Sequence, residues 1–411
     1  MRQSVHYLSL ATAVSAAALV AACSGGGGGG STGTLGVSMT DAPACGYDAI
    51  NVTVQKVSVM KSGATGDSEG DWIDIPLKDG RPIRVNLLDL TNGILQELGE
   101  APLAEGRYTQ MRLLLDPNTG ANSLANSIVL TGDVVKEEIH LDTPSAVQSG
   151  IKLIKPFEVK AGERVDLVLD FDACKSIVTA GNNPASDRKK YLLKPVIEVL
   201  PKLVSGIDGY IDRELVASNV AISAQQNGVI VRSTVPKDSG EFVLAYMAPG
   251  VYDVVMTADG RATAVVASVE VTEGKTVNLS GTGLPITLPA SAVSESISGT
   301  ATVTDRETST EVVSVAAQQT FSSGPKVTVK YHGADVSDNM YAITDLPTAE
   351  PQLAKYSDVR PLTFTTQSTT TPGTGKYSVQ ATATGYQDSA AQVVDLNTGA
   401  KTGINFELLP K

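Results

Sequence analysis

The sequence predicts an all-β protein with three tandem β-sandwich-type domains after a signal peptide and a glycine-rich tether. Runs that alternate apolar and polar residues recur at spacings of about 8 to 12 residues, as in β-sandwiches. Helical periodicity is nowhere sustained for more than about three turns. The second half of the chain also repeats itself, which indicates tandem copies of one module.

The first half contains the clearest strand patterns. The run at 50–59 (INVTVQKVSV) slips by one residue at Gln55 and Lys56, which predicts a β-bulge. The best helical candidate is 90–98, a short helix at most. Further strands are predicted at 72–77, 84–88, 108–115, 165–171 and 192–200.

The N-terminus has the pattern of an export signal. Arg2 precedes an uncharged apolar run at 8–22, which is too short to span a bilayer comfortably. The run ends in Val-Ala-Ala-Cys at 20–23, which resembles a lipobox, and SGGGGGGSTG follows. We therefore expect a lipoprotein signal peptide at 1–22 and a lipidated Cys23 that opens a tether at 23–33. The alternative is an ordinary secretory signal with an incidental cysteine.

This resemblance also implies a destination. Ser24 is not the aspartate that commonly retains lipoproteins at the inner membrane. The expected location is therefore the bacterial outer membrane or cell surface, outside the cytoplasm.

Composition limits the classes of partner that the chain is expected to bind. The chain has 44 acidic and 32 basic residues, a formal net charge of −12, and no Lys/Arg-rich patch. An acidic chain of this kind is not expected to bind nucleic acid or to dock electrostatically on anionic lipid. The expected membrane contact is the lipid on Cys23.

Cysteine usage predicts one disulfide. If Cys23 carries lipid, Cys45 and Cys174 are the remaining pair in an oxidising compartment. The loop between them spans about 130 residues, for which chain entropy assigns several kcal/mol of stabilisation. The alternative is two buried free thiols.

The internal repeat defines the later domains. SGIDGYIDRE at 205–214 matches SGTATVTDRE at 298–307, an offset of 93 that also aligns VAISAQQ with VSVAAQQ. GVYDVVMTADG at 250–260 matches GKYSVQATATG at 375–385, an offset of 125, so the second copy carries an insertion. The predicted domains are 34–204, 205–290 and 291–411. The insertion falls at about 320–372 and holds TTQSTTTPGTG, an expected exposed loop.

The repeated module resembles a known family. Its Gly-containing first strand, V-x-V strand and G-x-Y-x-V-x-x-x-A-x-G segment are similar to carboxypeptidase regulatory-like and prealbumin-like domains. That resemblance implies seven-stranded sandwiches of a carbohydrate-binding-like fold. Tyr252 and Tyr377 are then candidate sugar-stacking platforms or, alternatively, structural tyrosines near a strand start.

The first domain resembles a second family. TDAPACGYDAINVTVQKVSV (40–59), VNLLDLTNG (85–93), DTPSAVQSGIKL (142–153) and VDLVLDFDACKSIV (165–178) look like the bacterial domain-of-unknown-function family 4382. The resemblance implies a β-rich extracytoplasmic domain and brings no known activity.

Three aspartates form a candidate calcium site. Asp41 and Asp170 each stand four residues before a cysteine, so the predicted disulfide would draw Asp41, Asp170 and Asp172 together. Converging carboxylates can hold Ca²⁺. The alternative is that these aspartates cap turns, accept backbone hydrogen bonds, or pair with Lys175 and Arg112. No other cofactor is expected.

Catalytic signatures are sparse. After cleavage the histidines are His140 and His332, in different predicted domains, and there is no HExxH or CxxC motif. A carboxylate pair remains as an option, for example in the acidic loop 67–71, which is more simply a solvated hairpin loop. We predict no catalytic residues.

Two functions from different classes remain. The first is a lipid-anchored binding or structural protein that contacts envelope or matrix components. The alternative is a carbohydrate-binding protein that uses the two later sandwiches, and a weaker alternative is a carboxylate-dependent hydrolase. Exposed aromatics on a sheet face would favour glycan binding, whereas burial of Tyr252 and Tyr377 would favour the first function.

Overall fold

A computed structural model describes residues 31–41, 47–64, 69–120, 122–182, 189–203, 205–306, 309, 311–322 and 324–411. Strands dominate these residues, which confirms the predicted all-β class. Within the same ranges, no helix is long and apolar enough to cross a membrane.

The N-terminal domain contains the first thirteen strands and two single-turn α-helices. Short 3₁₀ helices lie at Glu69–Asp71 and Leu87–Leu90. The other elements are β1 (Thr32–Asp41), β2 (Tyr47–Lys61), β3 (Trp72–Ile75), β4 (Ile83–Asn86), β5 (Gln96–Ala104), β6 (Gly106–Leu115), β7 (Ser127–Leu130), β8 (Ile139–Asp142), α1 (Pro144–Gln148), β9 (Ile151–Val159), β10 (Arg164–Phe171), α2 (Ala173–Ser176), β11 (Ile177–Asn182), β12 (Lys189–Leu193) and β13 (Ile197–Pro201).

Two sheets enclose the core of this domain. The smaller has the order β13-β10-β1-β5, in which β1 and β10 run parallel. The larger has the order β11-β12-β8-β7-β2-β6-β9, with β3 and β4 also paired to β2. Leu35, Val57, Leu113 and Phe171 are among the fully buried side chains between the sheets. Alternation along β1 and β10 thus places one face of each strand in the core.

Local residues explain where the predicted elements hold and where they fail. The bulge at Gln55 is confirmed, since the β2–β6 register shifts between Val54 and Lys56. The helix predicted at 90–98 is wrong: a 3₁₀ turn ends at Leu90, and a left-handed Asn92 turns the chain into β5.

One predicted strand and one predicted domain boundary also differ from the structure. The single strand predicted at 192–200 is two strands in different sheets, interrupted at Pro195, which has no N–H to donate. The first strand begins at Thr32, two residues before the predicted domain boundary. An added Cβ on Gly33 would collide with the Lys160 carbonyl oxygen, so this glycine of the predicted tether belongs to the packed domain.

The second and third modules follow. A 3₁₀ helix lies at Arg213–Ser218. Their strands are β14 (Gly206–Tyr210), β15 (Ala221–Gln226), β16 (Val229–Thr234), β17 (Glu241–Leu244), β18 (Gly250–Thr257), β19 (Ala264–Val271), β20 (Thr276–Asn278), β21 (Ser294–Val303), β22 (Ser314–Phe321), β23 (Lys326–Gly333), β24 (Met340–Pro347), β25 (Gln352–Lys355), β26 (Thr365–Thr366), β27 (Thr370–Thr371), β28 (Lys376–Thr382), β29 (Gln392–Asp395) and β30 (Phe406–Leu408).

The two modules share one strand order. The second pairs β17-β14-β20 in one sheet and β16-β15-β18-β19 in the other, and the third pairs β24-β21-β30 and β23-β22-β28-β29. Gly206 and Gly299 occupy equivalent places in the opening strands. An added Cβ would meet the carbonyl oxygen of Leu244 or Ile404, respectively. The repeated glycine is therefore required by close backbone approach.

The insertion corresponds to the later part of the predicted range. The strands β23 and β24, within 326–347, are the third module's counterparts of β16 and β17. The extra chain is 348–375, which we call the strap. Its TTQSTTTPGTG stretch is not a simple loop, because β26 and β27 lie in it and pair with β25 and β22.

Candidate functional site

The structure brings the three predicted aspartates to one end of the smaller N-terminal sheet. In the parallel β1–β10 pair, Thr40 lies opposite Asp170 and Asp41 opposite Phe171. Asp172 follows directly and forms the N-cap of α2. The convergence predicted from sequence is therefore produced by strand register.

Protein donors surround two of these carboxylates. Asp41 Oδ1 accepts a hydrogen bond from the Ala173 N–H at 3.1 Å. Asp172 Oδ1 accepts from the Lys175 N–H at 3.1 Å, and its Oδ2 lies 2.7 Å from Lys175 Nζ. Both carboxylates accept hydrogen bonds from N–H groups in the first turn of α2, which have no acceptor within the helix.

Asp170 pairs with the second module. Its Oδ2 lies 2.9 Å from Arg232 Nη1 on β16, and both side chains are buried. Arg232 also lies 3.3 Å from the more exposed Glu198. The partner considered from sequence, Arg112, instead stacks its guanidinium 4.5 Å from the Trp72 ring centroid.

Burial affects the ionisation of Asp170. Burial raises the pKa of Asp170 above its ordinary value, against the opposing attraction of Arg232. Removing one member of a buried pair leaves an uncompensated charge, which destabilises strongly. The packing of the first domain against the second module therefore depends on the presence of both charges.

Asn92 forms a second link between these domains. It adopts a left-handed backbone with φ 58°. Its Nδ2 donates to the Val235 carbonyl at 2.8 Å, and its Oδ1 accepts from the Val243 N–H at 2.8 Å. Beside it, the Tyr246 hydroxyl donates to the Gly93 carbonyl at 2.7 Å. The Asn92 side chain thus satisfies backbone groups of the second module.

A small polar cleft lies between these contacts. It contains about 270 Å³ of empty volume, part of it open to solvent. Thr40, Asp41 and Asp170 line one side, and Arg232 and Tyr246 line the other.

The second and third modules are joined by a buried amide. Gln225 Nε2 donates to the Thr328 carbonyl at 2.8 Å, and its Oε1 accepts from the Thr328 N–H at 2.8 Å. Thr328 Oγ1 donates to the Gly228 carbonyl at 2.6 Å. Gln225 thus takes the place of a strand neighbour for Thr328. Nearby, Lys330 Nζ lies 2.9 Å from Asp259 Oδ1.

The first and third domains also touch. Thr179 Oγ1 donates to Asp335 Oδ2 at 2.5 Å. Lys175 Nζ lies 5.5 Å from the Tyr331 ring centroid. Burial, followed by the charges of Asp172 and Asp41, raises the pKa of Tyr331 well above its ordinary value.

All three domains therefore meet beside the aspartates. We call this region the three-domain junction, formed by Asp41, Asp170, Asp172, Lys175, Arg232 and Tyr331.

The calcium hypothesis gains no support from this geometry. In the described part of the chain, no group of three or more His, Cys, Asp or Glu side chains is placed to hold a metal ion. The contacts of Asp170 and Asp172 match the alternative of capping and ion pairing, with Arg232 in place of Arg112. Calcium binding stays a prediction.

The predicted cysteine chemistry falls largely outside the described residues. Cys23 and Cys45 lie there, as does the side chain of Cys174, whose backbone belongs to α2 at the three-domain junction. Lipidation and the disulfide stay predictions.

The two repeat tyrosines are structural. Tyr252 is 3% exposed and Tyr377 is 0% exposed. Their hydroxyls donate to the carbonyls of Ala248 at 2.9 Å and Pro347 at 2.6 Å. The other tyrosine, phenylalanine and tryptophan side chains in the described ranges are buried or partly buried. Neither repeat tyrosine is therefore available to stack on a sugar ring.

A serine, a histidine and an aspartate lie close together in the N-terminal domain, but they do not form a nucleophilic centre. Ser127 lies opposite His140 in the β7–β8 pair, and His140 Nε2 lies 3.0 Å from Asp142 Oδ1. Ser127 is fully buried, however, and its hydroxyl donates to Glu138 Oε2 at 2.6 Å. Strand pairing, which local sequence does not reveal, brought these residues together.

One sequence motif was also missed. Residues 66–70 read GDSEG, which fits the G-x-S-x-G pattern of a nucleophile elbow. That elbow lies between a strand and a helix, whereas this segment connects the antiparallel strands β2 and β3. Residues 65–68 lie outside the described residues.

Comparison with known protein families gives a match for the N-terminal part of the chain. Residues 32–195 match the profile of a family described as "Domain of unknown function (DUF4382)". This match agrees with the resemblance of the first domain, and the description names no activity. No curated protein matches the chain.

Solved structures give only distant similarities. A type II cohesin–X-dockerin complex from Acetivibrio cellulolyticus is 24% identical, covering 21% of this chain and 58% of that chain, with a TM-score of 0.19. The Bacillus anthracis TIE protein is 13% identical, with coverages of 93% and 51% and a TM-score of 0.16. The Corynebacterium diphtheriae major pilin SpaA is 9% identical, with coverages of 92% and 100% and a TM-score of 0.20.

The match spans little more than half the length of the first two structures. TM-scores of this size carry no argument about function.

The buried ion pair predicts a pH-dependent defect. Replacing Arg232 with Met leaves Asp170 desolvated without its cation, and we expect a loss of about 3 kcal/mol of unfolding free energy at pH 7.5. Because the folded-state pKa of Asp170 is already raised, its contribution to stability is greatest below the ordinary carboxyl pKa of about 3.9 and falls as pH rises. The defect should therefore shrink toward pH 4 in denaturant titrations.

The control is the double variant Arg232→Met with Asp170→Leu. It removes both charges, so most of the stability should return and the added pH dependence should disappear. Equal defects in the single variant at pH 4 and pH 7.5 would contradict this account of the junction.

Proposed function

We propose that this protein is a lipid-anchored extracytoplasmic protein with a structural or binding role at the bacterial envelope. The observation that carries the proposal is the pairwise packing of the three domains. Asp170–Arg232, Gln225–Thr328 and Thr179–Asp335 each link a different pair. Such an arrangement presents loops and sheet edges in fixed relation to one another, as a scaffold or adhesive protein requires.

The anchor follows from the sequence around Cys23. Eight residues separate Cys23 from the first strand, which begins at Thr32. Lipid on Cys23 would hold the N-terminal domain close to the bilayer. Ser24 favours the outer membrane or cell surface as the destination.

The partner class follows from the surface chemistry. A net charge of −12 disfavours nucleic acid, and the two repeat tyrosines that could have stacked on a sugar are buried. We therefore propose a protein component of the envelope or matrix as the partner, with glycan capture as the weaker candidate.

We further propose that the protein is not an enzyme. Ser127, the serine opposite His140, is buried and donates to Glu138. The second histidine, His332, lies on the third module, where its Nδ1 is 2.7 Å from the Gly333 carbonyl oxygen.

Lipidation is testable by metabolic labelling with an alkyne-tagged fatty acid. The wild-type chain should carry the label and fractionate with membranes, and Cys23→Ala should lose both properties because no thiol remains to acylate. The matched control is Ser24→Ala, which keeps the acylated thiol and should still be labelled. Membrane fractionation of an unlabelled Cys23→Ala chain would overturn the anchor.

The choice between protein and glycan partners can be tested with a glycan array. The chain from residue 24 onward should give no signal above background, because its tyrosines at 252 and 377 are core residues. A reproducible hit that survives Tyr210→Ala, Tyr246→Ala and Tyr356→Ala, the half-buried tyrosines of the second module and the strap, would show glycan capture without stacking on these three rings. Any reproducible hit would replace the proposed protein partner with the carbohydrate-binding alternative.

A further inference from the structure

The strap carries a strand that belongs to another module's sheet. It leaves the third module after β24, and β25 then runs parallel to β19 of the second module, from Ala264 opposite Gln352 to Ala267 opposite Lys355. The pairing continues at both ends. The Gln352 N–H donates to the Thr263 carbonyl at 2.8 Å, and the Tyr356 N–H donates to the Ala267 carbonyl at 2.9 Å.

Side chains of the strap complete the second module's core. Ala354 is 1% exposed, and it and Leu362 belong to the same buried cluster as Val266 of β19. Tyr356 and Phe364 pack against the margin of that cluster. A segment supplied by the third module therefore covers apolar surface that the second module would otherwise expose.

Polar contacts hold the turn of the strap. The Arg360 guanidinium donates to the carbonyl oxygen of Asn278, at the end of β20, and lies 5.2 Å from the Tyr356 ring centroid. The antiparallel partner β26 pairs with the other edge of β25, from Gln352 opposite Thr366 to Leu353 opposite Thr365.

The repeat shows that this strand is an addition. The third module's counterpart of β19 is β29, which ends its sheet with no further strand beside it in the described residues. The module thus completes its own strand order without a strand at this edge. In the second module the same edge is occupied from outside.

We propose that the outer edge of β19 is a strand-acceptor site and that the strap is its built-in ligand. The class of ligand is an extended peptide that runs parallel to β19 and places a small apolar residue opposite Val266, where Ala354 now lies. Main-chain hydrogen bonds supply the attraction, and the inward side chain supplies selectivity. Both ends of the strap are fixed in the third module, so its local concentration at the edge is high.

This site couples the two modules. Any change that frees the strap opens the β19 edge and also exposes part of the second module's core. An open edge is a template for pairing with another chain, so the strap also protects the protein from self-association.

The test uses the chain from residue 24 onward and hydrogen exchange at the β19 amides. Ala354→Glu places a charge in the buried position, and we expect at least tenfold faster exchange in β19. The matched control, Lys355→Glu, alters the neighbouring exposed residue and should exchange like wild type. Emission from Trp72, the single tryptophan, should be unchanged in both variants, showing that the N-terminal domain remains folded.

A synthetic peptide of residues 351–356 (PQLAKY) then tests the acceptor directly. Added at millimolar concentration to Ala354→Glu, it should restore slow exchange in β19, whereas the same peptide with Glu in place of Ala should not. The proposal is overturned if β19 stays protected in Ala354→Glu, or if PQLAKY leaves its exchange fast.

Discussion

Polar groups buried where the domains meet must find their partners across the junction, and this requirement fixes how the three domains sit together. Asp170 cannot remain ionised in its buried position without a cation, and the cation comes from Arg232 of another domain. The N–H and carbonyl of Thr328 both bond to the amide of Gln225, which belongs to the neighbouring module. Each link is directional, so the domains have little freedom to slide past one another.

The local features of the fold can be predicted from the sequence. Alternation identified the strands, and one slip in that alternation located the bulge at Gln55. The repeat offsets predicted two related modules, which share a strand order in the structure. These features depend on neighbouring residues, whose periodicity reports burial directly.

Long-range partners do not follow from such local patterns. From the sequence, Lys175 and Arg112 are the candidate cations for the aspartates, whereas the buried partner of Asp170 is Arg232 of the second module. The insertion holds the TTQSTTTPGTG stretch, for which the sequence predicts an exposed loop. Its buried residue, Ala354, lies before that run and gains its role only through pairing with β19.

The position of β1 has a mechanical consequence. This strand begins at Thr32, directly after the tether, and lies between β5 and β10 with hydrogen bonds along both edges. A pull on the tether, directed along the strand, would load these two ladders in shear, so many bonds would share the force at once. With the proposed anchor at Cys23, β1 would therefore be among the strands that are hardest to peel away, because tension applied at the N-terminus would be shared along both ladders.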